Sequence, residues 1–375
     1  MKQPRVQIRK LSSYDLDELQ DAVGTFIKSC RNPKLQKAKR VLIKPNMLGA
    51  YPPEKAVTTH PLVVEAIVRY FLDAGKEVWV GDSPGGSVSV ENVWETTGFA
   101  DLARRYPIKL QNLSTMGFRE LQIDGKTLRI SEAFWRCGIV INVAKYKTHS
   151  LMAFTGAFKN LYGLVPGLIK SDYHRQYPDT HSFSDLLIAL WKLTKDRITY
   201  NFIDGILGMD GAGPSAGNPR HFGLFFGSSS IAALDYIAAT MMGFKLKDVP
   251  YLSPILHAEG VLPSAINIPK SFIDYPSFQA ELGVVKLRKD LLKHLPQPIR
   301  HSFKKLYYAR PVIGKDCKRC GVCVKSCHVK AIDWQADGFP LIDTSKCIKC
   351  MCCHEMCPYH AIDIKRSFVA KVFGS

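Results

Sequence analysis

Only two cysteines, Cys30 and Cys137, occur in the first 316 of the chain's 375 residues. A body so poor in cysteine has no disulfide framework, which excludes the stapled miniproteins of secretion. Acidic residues are also scarce, with 33 Asp+Glu against 51 Lys+Arg and a formal net charge of +18. No uninterrupted apolar run reaches the ~20 residues that a membrane-spanning helix needs. The longest candidate, Phe222 to Phe244, is broken by Asp235 and three consecutive serines. The first ten residues carry charge but no apolar core of a signal peptide, so a soluble, cytoplasmic protein is expected. There is no P-loop, no metalloprotease H-E-x-x-H and no dinucleotide fingerprint, since Gly211-Ala-Gly213 is followed by Gly217, one position late.

What is present is unevenly distributed. Between Lys286 and Lys330 lie 13 Lys/Arg and two acids, so this stretch carries +11 and the other 330 residues only +7. The remaining nine cysteines all fall between Cys317 and Cys357. Hydrophobic residues at 46% and charged residues at 22% are ordinary for a globular chain and exclude disorder.

Three zones follow. Residues 1–280 alternate short apolar runs with amphipathic segments. Strands are expected at Val41–Ile43, Glu77–Val80, Gly138–Ala144, Ile198–Ile203 and Phe222–Phe226. Helices are expected after His60-Pro61, ending before Gly75, and over Ile231–Met242. Such alternation predicts an α/β body with a mostly parallel sheet and helices on both faces. Residues 281–312 read as a basic linker, and 313–375 as a small α+β module.

That module repeats with a period of 30: Cys317, Cys320, Cys323 and Cys327 recur at Cys347, Cys350, Cys353 and Cys357, and Ala331-Ile-Asp333 recurs at Ala361-Ile-Asp363. Each run is C-x2-C-x2-C-x3-C. Soft thiolates at this interval suit iron–sulfur centres, and the fourth thiolate of such a run ligates the other cluster. The expected ligand sets are therefore Cys317, Cys320, Cys323 and Cys357 for one [4Fe–4S] cluster, and Cys347, Cys350, Cys353 and Cys327 for a second. Paired zinc sites are the alternative, but they do not carry a third cysteine at this interval. Cys352 is a surplus thiol. His328 stands where the second run has Pro358, which is expected to loosen the backbone there. The module resembles the two-cluster bacterial ferredoxins.

In the body, chemistry-bearing residues gather where apolar strands stop, the place where open α/β sheets bind ligands. Lys145, Lys147 and His149 alternate at the end of one predicted strand and should share a side. With Lys159 and Asn160 they are expected to form an anion-binding cleft, rimmed by Lys44 and Asp82. Lys145, Lys147, His149 and Asp82 are the candidate catalytic residues, Asp82 or His149 moving a proton. Lys44, Asn46, Lys159 and Asn160 are the candidate substrate-binding residues. The other reading of these positions is a solvated strand end. His60, His174, His181, His221 and His257 lack ligand spacing and read as structural or surface histidines.

Ile43-Lys-Pro-Asn46, Thr59-His-Pro61, Gly81-Asp-Ser83, Asn142-Val-Ala-Lys-Tyr-Lys-Thr-His149, Thr155-Gly-Ala-Phe-Lys-Asn160 and Ile203-Asp-Gly-Ile-Leu-Gly208 resemble the family called domain of unknown function 362. Members are often fused to a two-cluster ferredoxin module. The resemblance implies membership and no particular reaction. A remoter likeness in fold to nickel-dependent lactate racemases is analogy alone.

Two functions are consistent with this reading. One is an oxidoreductase passing electrons through the clusters to a small anionic substrate, served by an acidic electron donor or acceptor protein. The other is an electron carrier or cluster-delivery protein docking a partner through its body. A nucleic-acid binder is disfavoured, because aromatic platforms do not interleave with the basic residues.

Overall fold

The structure is a computed structural model and describes residues 3–85, 89–149, 152–167, 169–177, 179–275, 277–280 and 309–367. The basic stretch 286–308, and with it most of the expected linker, lies outside the described residues.

One sheet of eight strands organises the body. Strands β1 (Gln7–Lys10), β2 (Arg40–Pro45), β3 (Glu77–Asp82), β4 (Lys109–Asn112), β7 (Ile139–His149), β9 (Ile198–Ala212) and β10 (Ala216–Ser228) run in the order β1-β10-β9-β7-β2-β3-β4, with β8 (Ala153–Thr155) beside β7. The five from β9 to β4 are parallel, while β10, β1 and β8 are antiparallel additions. A hairpin of β5 (Phe118–Ile123) and β6 (Lys126–Ser131) stands apart from it.

Alternation along the strands builds two cores. Val41, Ile43, Ile139, Ile141 and Val143 face the helices Leu16–Ser29 and Pro61–Asp73. Leu42, Val140 and Ala144 face Thr180–Thr194 and Ile231–Met241. The Pro61 helix begins and ends as its sequence directs. His60 caps it by accepting from the Leu62 amide, and Gly75 takes a φ of +69° just beyond its end. Strand β7 runs five residues beyond the expected Ala144 and is buried throughout, so the alternation of Lys145, Lys147 and His149 is carried by a real strand.

In the cysteine-rich module, β11 (Ala309–Ile313) pairs with β14 (Ile362–Arg366), and β12 (Ile332–Trp334) pairs with β13 (Pro340–Ile342). Its sheet thus takes in residues 309–312, which composition had given to the linker. The repeat is written in the backbone: Arg319 and Lys349 have φ of 55° and 58°, Gly321 and Met351 of 74° and 63°, Lys330 and His360 of 49° and 51°. Non-glycine residues rarely adopt this left-handed region singly, still less in register. His328 does not loosen this course. The amide of Ala331 donates to Cys327 Sγ at 3.2 Å, as that of Ala361 donates to Cys357 Sγ at 3.3 Å.

Candidate functional site

The carboxyl ends of β2, β3 and β7 converge beneath the cysteine-rich module, and a cleft of about 690 Å³, its open mouth included, lies between the two. From the body come Asn46, Asp82, Ser83, Lys159, Asn160, Tyr162, Lys170 and His174; from the module come Cys352, Glu355 and Met356. The module is held in place by body contacts: Ser215 Oγ donates to the Glu355 carbonyl at 2.9 Å, and the Tyr51 and His360 rings stack 5.7 Å apart.

Four of the eight expected body residues line this cleft, and the rest stand behind it. Asp82 accepts from the Met47 amide at 2.8 Å and pairs with the fully buried Lys44 ammonium at 2.9 Å. That pair explains Gly163, since a Cβ there would come within 2.0 Å of Asp82 Oδ1 and 2.5 Å of Lys44 Nζ. Lys147 lies deeper. Its ammonium donates to Asn46 Oδ1 at 2.9 Å and to the Val57 carbonyl at 2.7 Å. Burial, reinforced by the charge of Lys159, brings its pKa down to about 7. From Lys147 an amide chain leads inward: Asn46 Nδ2 donates to Asn160 Oδ1 at 3.2 Å, Asn160 Nδ2 to Asn142 Oδ1 at 2.8 Å, and Asn142 Nδ2 to Asn201 Oδ1 at 2.9 Å. This chain fixes which way Asn46 and Asn160 present themselves to the cleft.

Lys145, one of the four that do not reach the cleft, is held by partners of its own. Its ammonium is spent on Asp204 at 2.8 Å and on the Tyr14 hydroxyl at 3.1 Å, with both members of the ion pair fully buried. Asp204 Oδ2 also accepts from the His60 amide at 2.9 Å. These contacts are those of an internal strut. His149 sits at the edge of the module, its Nε2 3.4 Å from Glu355 Oε1 and its Nδ1 accepting from the Met152 amide. Burial, with Lys159 nearby, holds its imidazole well below its usual pKa.

Lys159 differs from its neighbours. Among the described residues its ammonium makes no hydrogen bond or ion pair, and it points into the cleft above the Tyr162 ring at 6.0 Å. It rides on a short helix, Ala157–Asn160, whose first amides are fixed by Asp235 at 2.7 and 3.1 Å. Tyr251 donates a third hydrogen bond to the same carboxylate at 2.9 Å. Burial pushes the Asp235 carboxyl up to about 7 despite these bonds. The native state therefore holds this proton more tightly than the unfolded chain, whose carboxyl titrates near ~4. Asp235 therefore contributes stability that is lost as pH rises from about 4 through 7, against the opposite trend of the buried, neutral His149 and His174 and the half-buried His60. The urea midpoint of the wild type should accordingly fall relative to that of Asp235→Asn across this window.

Sequence reasoning missed Ser83, Tyr162, Lys170, His174 and Glu355 as cleft residues. Lys170 donates to the Ser83 carbonyl. His174 stacks on Phe183 at 4.4 Å, and burial beside Lys159 lowers its pKa to about 3, so it faces the cleft as a neutral imidazole.

The module's cysteines surround two separate cavities. One is lined by Cys317, Cys320, Cys323 and Cys357, the other by Cys327, Cys347, Cys350 and Cys353. Among the described residues no three His, Cys, Asp or Glu side chains converge as a single metal ion requires. Thiols spaced around a cavity fit a polynuclear cluster better than one zinc ion. The amide donors to Cys327 and Cys357 are the usual partners of cluster sulfur.

No helix among the described residues is long and apolar enough to cross a membrane. Comparison with known proteins agrees with the two-part architecture. Residues 340–363 match the 4Fe-4S binding domain, so this is an iron–sulfur protein. A thylakoid-associated protein of Synechocystis sp. is 28% identical over 311 residues, covering 80% of this chain and 94% of that one. Among solved structures, the lactate racemase apoprotein from Thermoanaerobacterium thermosaccharolyticum overlaps 64% of this chain and 57% of its own, at 13% identity and a TM-score of 0.40. The family described as Domain of unknown function (DUF362) matches residues 41–240, more than half of the chain, and the protein belongs to it.

Proposed function

We propose that this protein is an oxidoreductase that exchanges electrons with a small anionic substrate bound in the cleft between body and module. One observation carries the reading. The cleft is walled on one side by Lys159, whose ammonium makes no hydrogen bond or ion pair among the described residues, and on the other by Cys352, which also lines the second cysteine cavity. A ligand held there would lie beside a centre of electron transfer.

Residues 317–357 would hold two [4Fe–4S] clusters on the quartets described above, supplying one-electron chemistry that side chains alone lack. The rest is the work of the chain. Lys159 and Lys170 attract and orient the anion, and Asn46 and Asn160 offer amide contacts in an orientation set by Lys147. Asp82, kept in place by Lys44, lines the cleft where a proton could be passed. His174 remains neutral and can donate or accept without adding charge. An external electron donor or acceptor protein completes the cycle. The Synechocystis relative's thylakoid association suggests peripheral attachment to a membrane as an alternative to a cytoplasmic location.

Calorimetric titration of the full-length, anaerobically prepared protein with a panel of small phosphates and carboxylates tests the anion site. At least one should bind, and Lys159→Gln should weaken it about ten- to 150-fold, equivalent to ~1.5–3 kcal/mol for a charge-assisted hydrogen bond. Equal affinity in the variant, or no binding across the panel, would turn the reading toward an electron carrier.

A further inference from the structure

The two cysteine cavities are unlike in their surroundings. That of Cys327, Cys347, Cys350 and Cys353 shares two of its lining residues, Ser171 of the body and Cys352, with the cleft. That of Cys317, Cys320, Cys323 and Cys357 is lined by the module alone. The body does approach the second group, for Tyr51 reaches the Cys357 carbonyl at 3.4 Å, but it does so from the backbone side. The opposite side carries exposed residues among those described. Cys320 and Lys318 are exposed, Tyr359 on the same rim is 50% exposed, and Trp334, 43% exposed, lies over Gly321.

We infer that the two quartets hold unequal posts: the Cys347 quartet is the inner centre, facing the substrate, and the Cys317 quartet is the outer centre, where electrons are exchanged with a one-electron carrier protein. The inference rests on the reading that both quartets hold clusters and that the cleft takes the substrate. With clusters bound, the Cys317 quartet would hold the one that exchanges single electrons with the carrier protein, and the Cys347 quartet the one beside the cleft occupant, each electron gained by one party being lost by the other. No bond forms or breaks in the transfers between centres. The exposed aromatic and basic rim of the outer quartet gives the carrier a contact surface, while Cys352 and Ser171 form the wall between inner quartet and substrate.

Charge near a cluster sets its reduction potential, because a neighbouring cation favours the added electron. This permits a test that needs no substrate. In iron-loaded, full-length protein, redox titration followed by electron paramagnetic resonance resolves the two centres, with Cys320→Ser and Cys350→Ser assigning the signals. Lys159→Gln should lower the potential of the centre altered by Cys350→Ser and leave the other in place, whereas Lys159→Arg should leave both in place. Lys318→Gln should do the converse. Ser171→Asp, which adds an anion at the shared wall, gives an independent route to the inner shift. Eight irons per chain with these shifts reversed, equal or absent would overturn the inference alone. Iron near four per chain would overturn it together with the two-cluster reading.

Discussion

Lys145→Met should cost about 3–5 kcal/mol of stability while leaving anion binding in the surviving folded protein close to normal. The expectation follows from the geometry around Asp204. Lys145 is the cation within 2.8 Å of a carboxylate that is fully buried, and the remaining bonds to that carboxylate, from Tyr14 and the His60 amide, do not neutralise its charge. Removing one member of a buried pair leaves the other charge uncompensated in a poorly polarisable interior, which is the expensive case. The methionine keeps much of the volume, so cavity formation contributes little. Urea unfolding of the variant measures the loss, and the double variant Lys145→Met with Asp204→Leu should recover much of it. If Lys145 also held the anion, the variant would in addition lose anion binding in its folded fraction.

The second large effect concerns the cysteines. Cys317→Ser and Cys357→Ser should damage the same cluster although 40 residues separate them in sequence. Both thiols line one cavity with Cys320 and Cys323, whereas Cys327, adjacent in the same run, lines the other. Each single variant should lose up to half of the iron or show one altered paramagnetic signal. The double variant should lose no more than either alone, since one site cannot be emptied twice. Cys327→Ser should instead affect the partner of Cys347, Cys350 and Cys353. Independent losses from Cys317→Ser and Cys357→Ser would break the crossed assignment.

Much of this arrangement could be read from the sequence because its physical causes are local. The strand at Val41–Ile43, the capped helix after His60 and the period of 30 in the cysteines each depend on residues close together in the chain. Alternation also placed Lys145, Lys147 and His149 on one side of β7. It did not say what they would meet there. Asp204 stands directly opposite Lys145 on β9, 59 residues further along the chain, so the sequence alone did not reveal that Lys145 was already paired. Glu355 and Cys352 escaped notice as cleft residues for a related reason. They lie nearly 200 residues beyond Lys159, and only the docking of the module brings them to it. The lack of ligand spacing around His174 points to a structural or surface histidine. Its stacking on Phe183 supports that role, and its place on the cleft wall adds a second.

The measurement that tests the account most directly is an anaerobic crystal structure of the iron-loaded protein soaked with phosphate. Two cubane clusters are expected, on the quartets led by Cys317 and Cys347, with a phosphate within hydrogen-bonding distance of Lys159 Nζ, between Asn160 and Cys352. An iron-loaded structure whose cleft holds no anion, with Lys159 paired to Glu355 instead, would contradict it.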